Sequence, residues 1–267
     1  MTTDLILALV LMAIAGGAIG FVSAMLGIGG GMLMVPALLL IIRLLDVPPD
    51  NRMHIAAGTS LCIMVATALG SVVNHAKRGN VVATIVYRVI PGIVVGVVAG
   101  SLLAHILASH VLRLIFAVVL LLVGLLMLFG FKATPKTRRV PGLVTSSVAG
   151  SVIGFKSGLL GVGGGALSVP WLTSLGLPQN EVSGTSSCFT LPAAIVGTIA
   201  FMLTGMDSVD LPLTIGYVFW PALPVAGGAS LVATFFGAKL ARKVPGRALR
   251  IAFGVIVIGV GASMFFS

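Results

Sequence analysis

Hydrophobic residues fall along this chain in long blocks with short polar breaks between them. Crossing the hydrocarbon of a bilayer as a helix takes about 20 apolar residues. The blocks at 5–26, 55–75, 89–108, 112–131, 142–160, 183–205, 213–238 and 249–266 are near that length and predict membrane-spanning helices. Two shorter apolar stretches, 32–45 and 163–176, each follow a glycine cluster. They read either as short helices or as the returning arms of hairpins. The first block is preceded by Met-Thr-Thr-Asp, without the basic start of a signal peptide, so it is expected to be a retained membrane segment.

Composition agrees with this pattern. Of 267 residues, 58% are hydrophobic and only 8% are charged, with a mean hydropathy of +1.20. A soluble domain of that length needs far more polar surface, so the expected class is an all-α integral membrane protein. The net charge of +10 does not point to nucleic acid, because the basic residues lie in short runs between apolar blocks. Lys77, Arg78 and Arg88 flank one break. Lys132, Lys136, Arg138 and Arg139 fill a second, and Lys239, Arg242, Lys243, Arg247 and Arg250 a third. These are twelve of the sixteen basic residues, and the positive-inside rule puts all three breaks in the cytoplasm. Five of the six acids (Asp4, Asp46, Asp50, Asp207 and Asp210) fall in the breaks that are then external.

Counting crossings from these loops, 142–176 enters the membrane and returns to the cytoplasmic side, and 5–45 starts and ends outside. Each half then carries five segments, and an odd number inverts the second half relative to the first. Both termini come out external.

A duplication is visible in the residues themselves. FVSAMLGIGGGMLMVP (21–36) and FKSGLLGVGGGALSVP (155–170) match at ten of sixteen positions without a gap. Gly58-Thr59-Ser60-Leu61-Cys62 corresponds to Gly184-Thr185-Ser186-Ser187-Cys188. Tyr87 and Pro91 are paired with Tyr217 and Pro221, and Leu112-Arg113 with Phe116 is paired with Leu249-Arg250 and Phe253. The expected organisation is a first repeat at 1–131, a basic cytoplasmic linker at 132–140 and a second repeat at 141–267.

The glycine clusters carry the candidate chemistry. Glycine permits backbone conformations closed to other residues, and a run of three breaks a helix. Inside a membrane, broken backbone is tolerated only where protein or a water-filled cavity satisfies it. Paired glycine breaks in corresponding halves therefore point to a transporter's binding site. Helices starting after such breaks would present N–H donors and partial positive charge to an anion. The candidate substrate-binding residues are Gly29, Gly30, Gly31, Gly163, Gly164 and Gly165, with the hydroxyls of Thr59, Ser60, Thr185 and Ser186. Close helix packing is the competing reading for the glycines, and capping or back-bonding for the hydroxyls. The proline five residues after Gly31 and Gly165 fits an early helical turn.

Lys156 is a charge inside an apolar block, a functional candidate by position, with Val22 at the matching place in the first half. It could attract an anion or snorkel to the cytoplasmic face. His75 reads as an interfacial residue beside Lys77 and Arg78, or as a proton relay. Cys62 and Cys188 read as small packing residues, and no disulfide framework or metal site is expected. No segment holds a deep carboxylate, and no Walker, HExxH or GxSxG motif occurs, so neither direct ATP drive nor catalysis is expected.

With its doubled Gly-x-Gly-Gly-Gly clusters (27–31 and 161–165), each followed by Val-Pro (35–36 and 169–170), and its Gly-Thr-Ser pair (58–60 and 184–186), the chain resembles the TauE/SafE family of sulfite-exporter-like transporters over its whole length. The resemblance implies transport of small sulfur-containing anions such as sulfite, sulfoacetate or other organosulfonates. The expectation is a cofactor-free secondary carrier with alternating access in the cell inner membrane. An anion channel and a non-transport membrane subunit are the alternatives. Its partners would be the bilayer and a small anion, with a homodimer left open.

Overall fold

In hydrocarbon a helix satisfies its own backbone, so each long apolar block can cross alone. The computed structural model describes residues 2–26, 31–129, 138–209, 211–240 and 246–266. The first half runs α1 (Thr2–Leu26), α2 (Gly31–Ile42) with a 3-10 turn at Arg43–Leu45, α3 (Pro49–Lys77), α4 (Ala83–Ile106) and α5 (Ser109–Phe129). The second half runs α6 (Leu143–Leu160), α7 (Gly165–Ser174), α8 (Gln179–Gly205), α9 (Gly228–Leu240) and α10 (Gly246–Phe266). Six of these helices are long and apolar enough to span a membrane: α1, α3, α4, α5, α6 and α8. The chain is a multi-pass membrane protein.

Several boundaries differ from the hydropathy reading; α4 starts at Ala83 rather than 89 and α8 at Gln179 rather than 183. α3 begins at Pro49 rather than near residue 55, because its polar first turns find partners inside the protein. Arg52 Nε–H donates to the Val47 carbonyl at 2.8 Å, and His54 Nε2–H donates to that of Ala104 at 2.9 Å. The block 213–238 is not one helix. Thr214–Ile215 pairs antiparallel with Val218–Phe219 around Gly216 at φ 56°, and a π-turn at Leu223–Gly227 leads into α9. Pro221 and Pro224 explain the irregular start, since each lacks a helical donor.

The ends of the helices sort into two groups. At one end, Asn180 donates to Asn80 at 3.0 Å, Arg138 pairs with Glu181 at 3.1 Å, and Arg139 N–H reaches the Leu175 carbonyl at 2.9 Å. The start of α6 and the end of α7 therefore meet, as expected for a segment that enters and returns. Lys77, Arg78 and Arg138 all belong to this end. At the other end, Asn51 donates to the Ser208 carbonyl, and Met53 N–H donates to Ser109 Oγ.

The helix pairings recur between the halves. α4 packs along α6 and α9 along α1; α2 packs on α3 and α7 on α8; α3 meets α8 and α5 meets α10. Small residues fix the register. Gly150 lies against Val89 and Gly154 against Ile93, while Gly16 lies against Ala226 and Gly20 against Ser230. Gly100 meets Phe155 as Gly237 meets Phe21. These contacts match α4 to the stretch through α9 at a constant spacing of 137 residues, the spacing that also separates Leu112 from Leu249.

That register overturns the pairing of Tyr87 and Pro91 with Tyr217 and Pro221. It is seven residues out, about two turns at 3.6 residues each. The two tyrosines also live differently: Tyr87 is 76% exposed and Tyr217 only 3%. In a sequence so rich in apolar residues, a Tyr-x-x-x-Pro match arises without common position.

Candidate functional site

The second glycine break packs against the start of α2 and against α3. α6 ends at Leu160 and α7 starts at Gly165. Between them Gly161 and Gly163 take φ of 71° and 70°, the left-handed region that only glycine enters cheaply. Gly161 packs on the backbone of Ala57 in α3. Gly31, the first residue of α2, lies against the Val162 carbonyl and Met64, so the start of α2 touches the second break. Gly163 lies against Met64 and Thr190, leaving no room for a side chain. Gly164 caps α7, Gly165 begins it, and both are buried. Gly27, Gly29 and Gly30 lie outside the described residues. Pro36 and Pro170 sit sixth in their helices, beyond the first turn, so each removes one intrahelical bond.

Beside this break is a cavity of about 90 Å³ between α1, α3, α8 and α9. At about 30 Å³ per water molecule, that is room for a small oxyanion or a few waters. Its polar lining is hydroxyl-rich: Ser23, Thr67, Ser71, Ser183, Ser186, Ser187, Thr190, Ser230 and Thr234. Asn74 and His75, near the end of α3, line it close to the basic turn at Lys77 and Arg78. Met34, Ile63 and Met64 are among its apolar residues, and no carboxylate, lysine or arginine is among its described lining residues. Several hydroxyls already hold one another or the helix behind them. Ser71 and Ser187 are 2.8 Å apart across α3 and α8, and Ser168 and Ser186 are 2.6 Å apart across α7 and α8. Thr190 donates back to the Ser186 carbonyl at 3.2 Å. An acceptor lodged here would face O–H donors, with no carboxylate among the described lining residues to repel it.

The four hydroxyl residues chosen from sequence divide by role. Ser186 lines the cavity. Thr59 and Thr185 do not. Thr59 Oγ1 accepts from Phe219 N–H at 3.0 Å, and Thr185 Oγ1 accepts from Val82 N–H at 3.1 Å. The glycine before each threonine makes the approach possible: Gly58 lies against the Tyr217 carbonyl and Gly184 against that of Asn80. Phe219 and Val82 are again 137 residues apart, as are Tyr217 and Asn80. The repeated Gly-Thr thus grips the chain entering α4 and its counterpart. Ser60 is fully buried, and its hydroxyl has no hydrogen-bond partner.

Lys156 is 8% exposed, is not part of the cavity lining, and its Nζ has no partner. The snorkelling reading fails, since the ammonium does not reach the surface. His75 lines the cavity and is not merely interfacial. Ser23, Ser71, Thr190, Ser230 and Thr234 escaped sequence reasoning, because serine and threonine scattered along apolar helices carry no local signature. Trp171 packs near Phe189, with ring centroids 6.4 Å apart, and Trp220 is 46% exposed. Cys62 and Cys188 are free thiols, and no group of metal-ligating residues occurs among the described residues. A larger cavity of about 530 Å³, lined by Arg43, Arg52, His110 and Arg113 with apolar residues of α2 and α10, lies at the other end and holds none of the expected site residues.

Known proteins are similar to this chain over nearly its whole length. A protein 30% identical over 258 residues, covering 96% of this chain and 98% of its own length, is a probable membrane transporter protein of Haemophilus influenzae. A probable membrane transporter protein of Methanocaldococcus jannaschii is 27% identical, covering 98% of this chain and 97% of its own. YunE of Bacillus subtilis, also a probable membrane transporter protein, is 25% identical, with 96% and 97% covered. The family model described as sulfite exporter TauE/SafE matches residues 12–264, and the chain belongs to that family of membrane transporters.

Proposed function

We propose that the chain is a secondary carrier for a small sulfur-containing anion, such as sulfite or an organosulfonate, working by alternating access in the cell inner membrane. The observation that carries this reading is the hydroxyl-lined cavity, with no carboxylate among its described lining residues, beside the second glycine break and the start of α2. Glycine backbone at 29–31 and 163–165 and the hydroxyl of Ser186 replace the hydration of the anion, while Thr59 and Thr185 hold the frame around it. In this reading Ser60 and Lys156, both buried without a hydrogen-bond partner, also serve the anion.

The halves, 1–131 and 141–267 about the linker 132–140, are inverted repeats in this reading. The recurring helix pairs and the constant 137-residue spacing support it. The described basic residues Lys77, Arg78 and Arg138 lie at the end that holds Asn74 and His75, and by the positive-inside rule this reading assigns that end of the cavity to the cytoplasm. An inside-negative potential then favours exit of an anion by about 2.3 kcal/mol per charge per 100 mV, so export needs no coupled ion.

Counterflow in proteoliposomes tests the reading. Internal unlabelled sulfite should drive uptake of labelled sulfite that saturates with concentration, and sulfoacetate or taurine should compete if the site accepts sulfonates. Non-saturating flux without counterflow means a channel, and no flux of any sulfur anion removes the transport reading.

A further inference from the structure

Ser60 Oγ and Ser157 Oγ are fully buried hydroxyls without a hydrogen-bond partner. A buried hydroxyl in an apolar setting is unfavourable unless bonded, and natural proteins leave few. No fold requirement explains them, since neither caps a helix nor joins two elements. Their positions explain them. Ser157 stands 134 residues after Ser23, and Ser60 stands 126 residues before Ser186. Both Ser23 and Ser186 line the open cavity. The two orphans are therefore the counterparts, in the other half, of two residues that line one cavity.

Local packing puts the orphans at one level. Gly161 lies on the backbone of Ala57. α6 and α3 run in opposite directions, because the start of α6 and the end of α3 share one end of the molecule. One turn from the Gly161–Ala57 contact, back along α6 and forward along α3, puts Ser157 and Ser60 at the same depth. The space that corresponds to the cavity is filled here. The counterparts of Ser187, Thr234 and Ser71 are Leu61, Val97 and Gly197, and the side chains of Leu61 and Val97 press onto Gly197. A side chain at Gly197 would leave them no seat: an added Cβ would stand 2.7 Å from Leu61 Cδ1.

We propose that Ser60 and Ser157 are hydroxyl donors of a second, occluded half of the anion site, opened from the outer side when Leu61 and Val97 withdraw from Gly197. This rests on the reading of the halves as inverted repeats. In the closed form the two hydroxyls are dry and unpaired. In the opposite form they meet the oxygens of a sulfur oxyanion that entered past Ser23 and Ser186. The two ends differ in character: hydroxyls line the inner cavity, whereas apolar side chains seal the outer one.

Two measurements test it. The Ser60→Ala/Ser157→Ala double variant loses no hydrogen bond of this form, so its thermal midpoint should hold or rise, while sulfite counterflow falls at least tenfold. Undiminished counterflow overturns the proposal. The second uses Ala193→Cys, the counterpart of Thr67, after replacement of Cys62 and Cys188 by alanine. An impermeant maleimide should label it from the outer face, while Ala68→Cys in the open cavity labels from the inner face. Ala193→Cys that labels from neither face, beside a reactive Ala68→Cys, also overturns it. Outer labelling without sulfite flux retains the second half-site and removes sulfite as the substrate. Sulfite flux with neither outer labelling nor a Ser60/Ser157 effect does the reverse.

Discussion

Thr59 and Thr185 show how far a motif can be right in position and different in role. Each accepts a backbone N–H from a distant stretch of the chain, Phe219 for Thr59 and Val82 for Thr185. Valine keeps the shape and removes the acceptor, leaving that N–H unsatisfied at a cost of about 1–3 kcal/mol. Thr59→Val and Thr185→Val should each lower the thermal midpoint of the detergent-solubilised protein, and the serine variants should restore most of it. Lys156 invites the opposite expectation. Its ammonium is buried and unpaired, so Lys156→Met should raise the midpoint. If the ammonium also helps hold the anion, sulfite should stabilise the variant less than the parent. An equal sulfite shift places Lys156 outside the site.

Among elements, the seam between α4 and α6 is built from backbone touching backbone. Gly92, Gly96 and Gly100 face Ser147, Ser151 and Phe155, and Gly150, Gly154 and Gly158 face Val89, Ile93 and Val97. Helices in lipid gain no hydrophobic drive for association, so close approach through small residues supplies the attraction. A Cβ on Gly154 would run into the Ile93 backbone, which cannot yield. Gly154→Leu should abolish a monodisperse peak in size-exclusion chromatography. Gly17→Ala, where nothing lies within 4 Å, should leave the peak intact and gain up to about 1 kcal/mol from helix propensity. Most helices were legible from hydropathy because crossing a bilayer demands a long apolar run. The start of α3 was not, since the partners of Arg52 and His54 come from Val47 and from α4's end. The hairpin before α9 was not either, as Val218 and Phe219 are as apolar as any helix.

For the whole molecule, the orientation in the bilayer is the sharpest expectation. With Lys77, Arg78 and Arg138 on the cytoplasmic side, five segments per half put both termini outside. A reporter fused after Ser267 should be active only externally, and a cytoplasmic signal overturns the odd count. Bulk at the second break should stop transport without preventing insertion. Gly163 combines a φ of 70° with contacts to Met64 and Thr190, so Gly163→Val adds a left-handed penalty of about 1–2 kcal/mol to a clash. It should insert normally and show no counterflow.

The residues alone determined the membrane class, the doubling and the place of the breaks, because apolar length and repeated glycine are local properties written in order along the chain. Tertiary structure alone decided which residues in the two halves correspond within α4 and α9, since register is set by backbone contacts between distant helices. It also decided that the Gly-Thr pairs grip backbone while scattered serines and threonines from four helices surround the cavity. A hydroxyl's partner is chosen by what folding brings beside it, and the doubled motif recorded only that both halves needed the same partner.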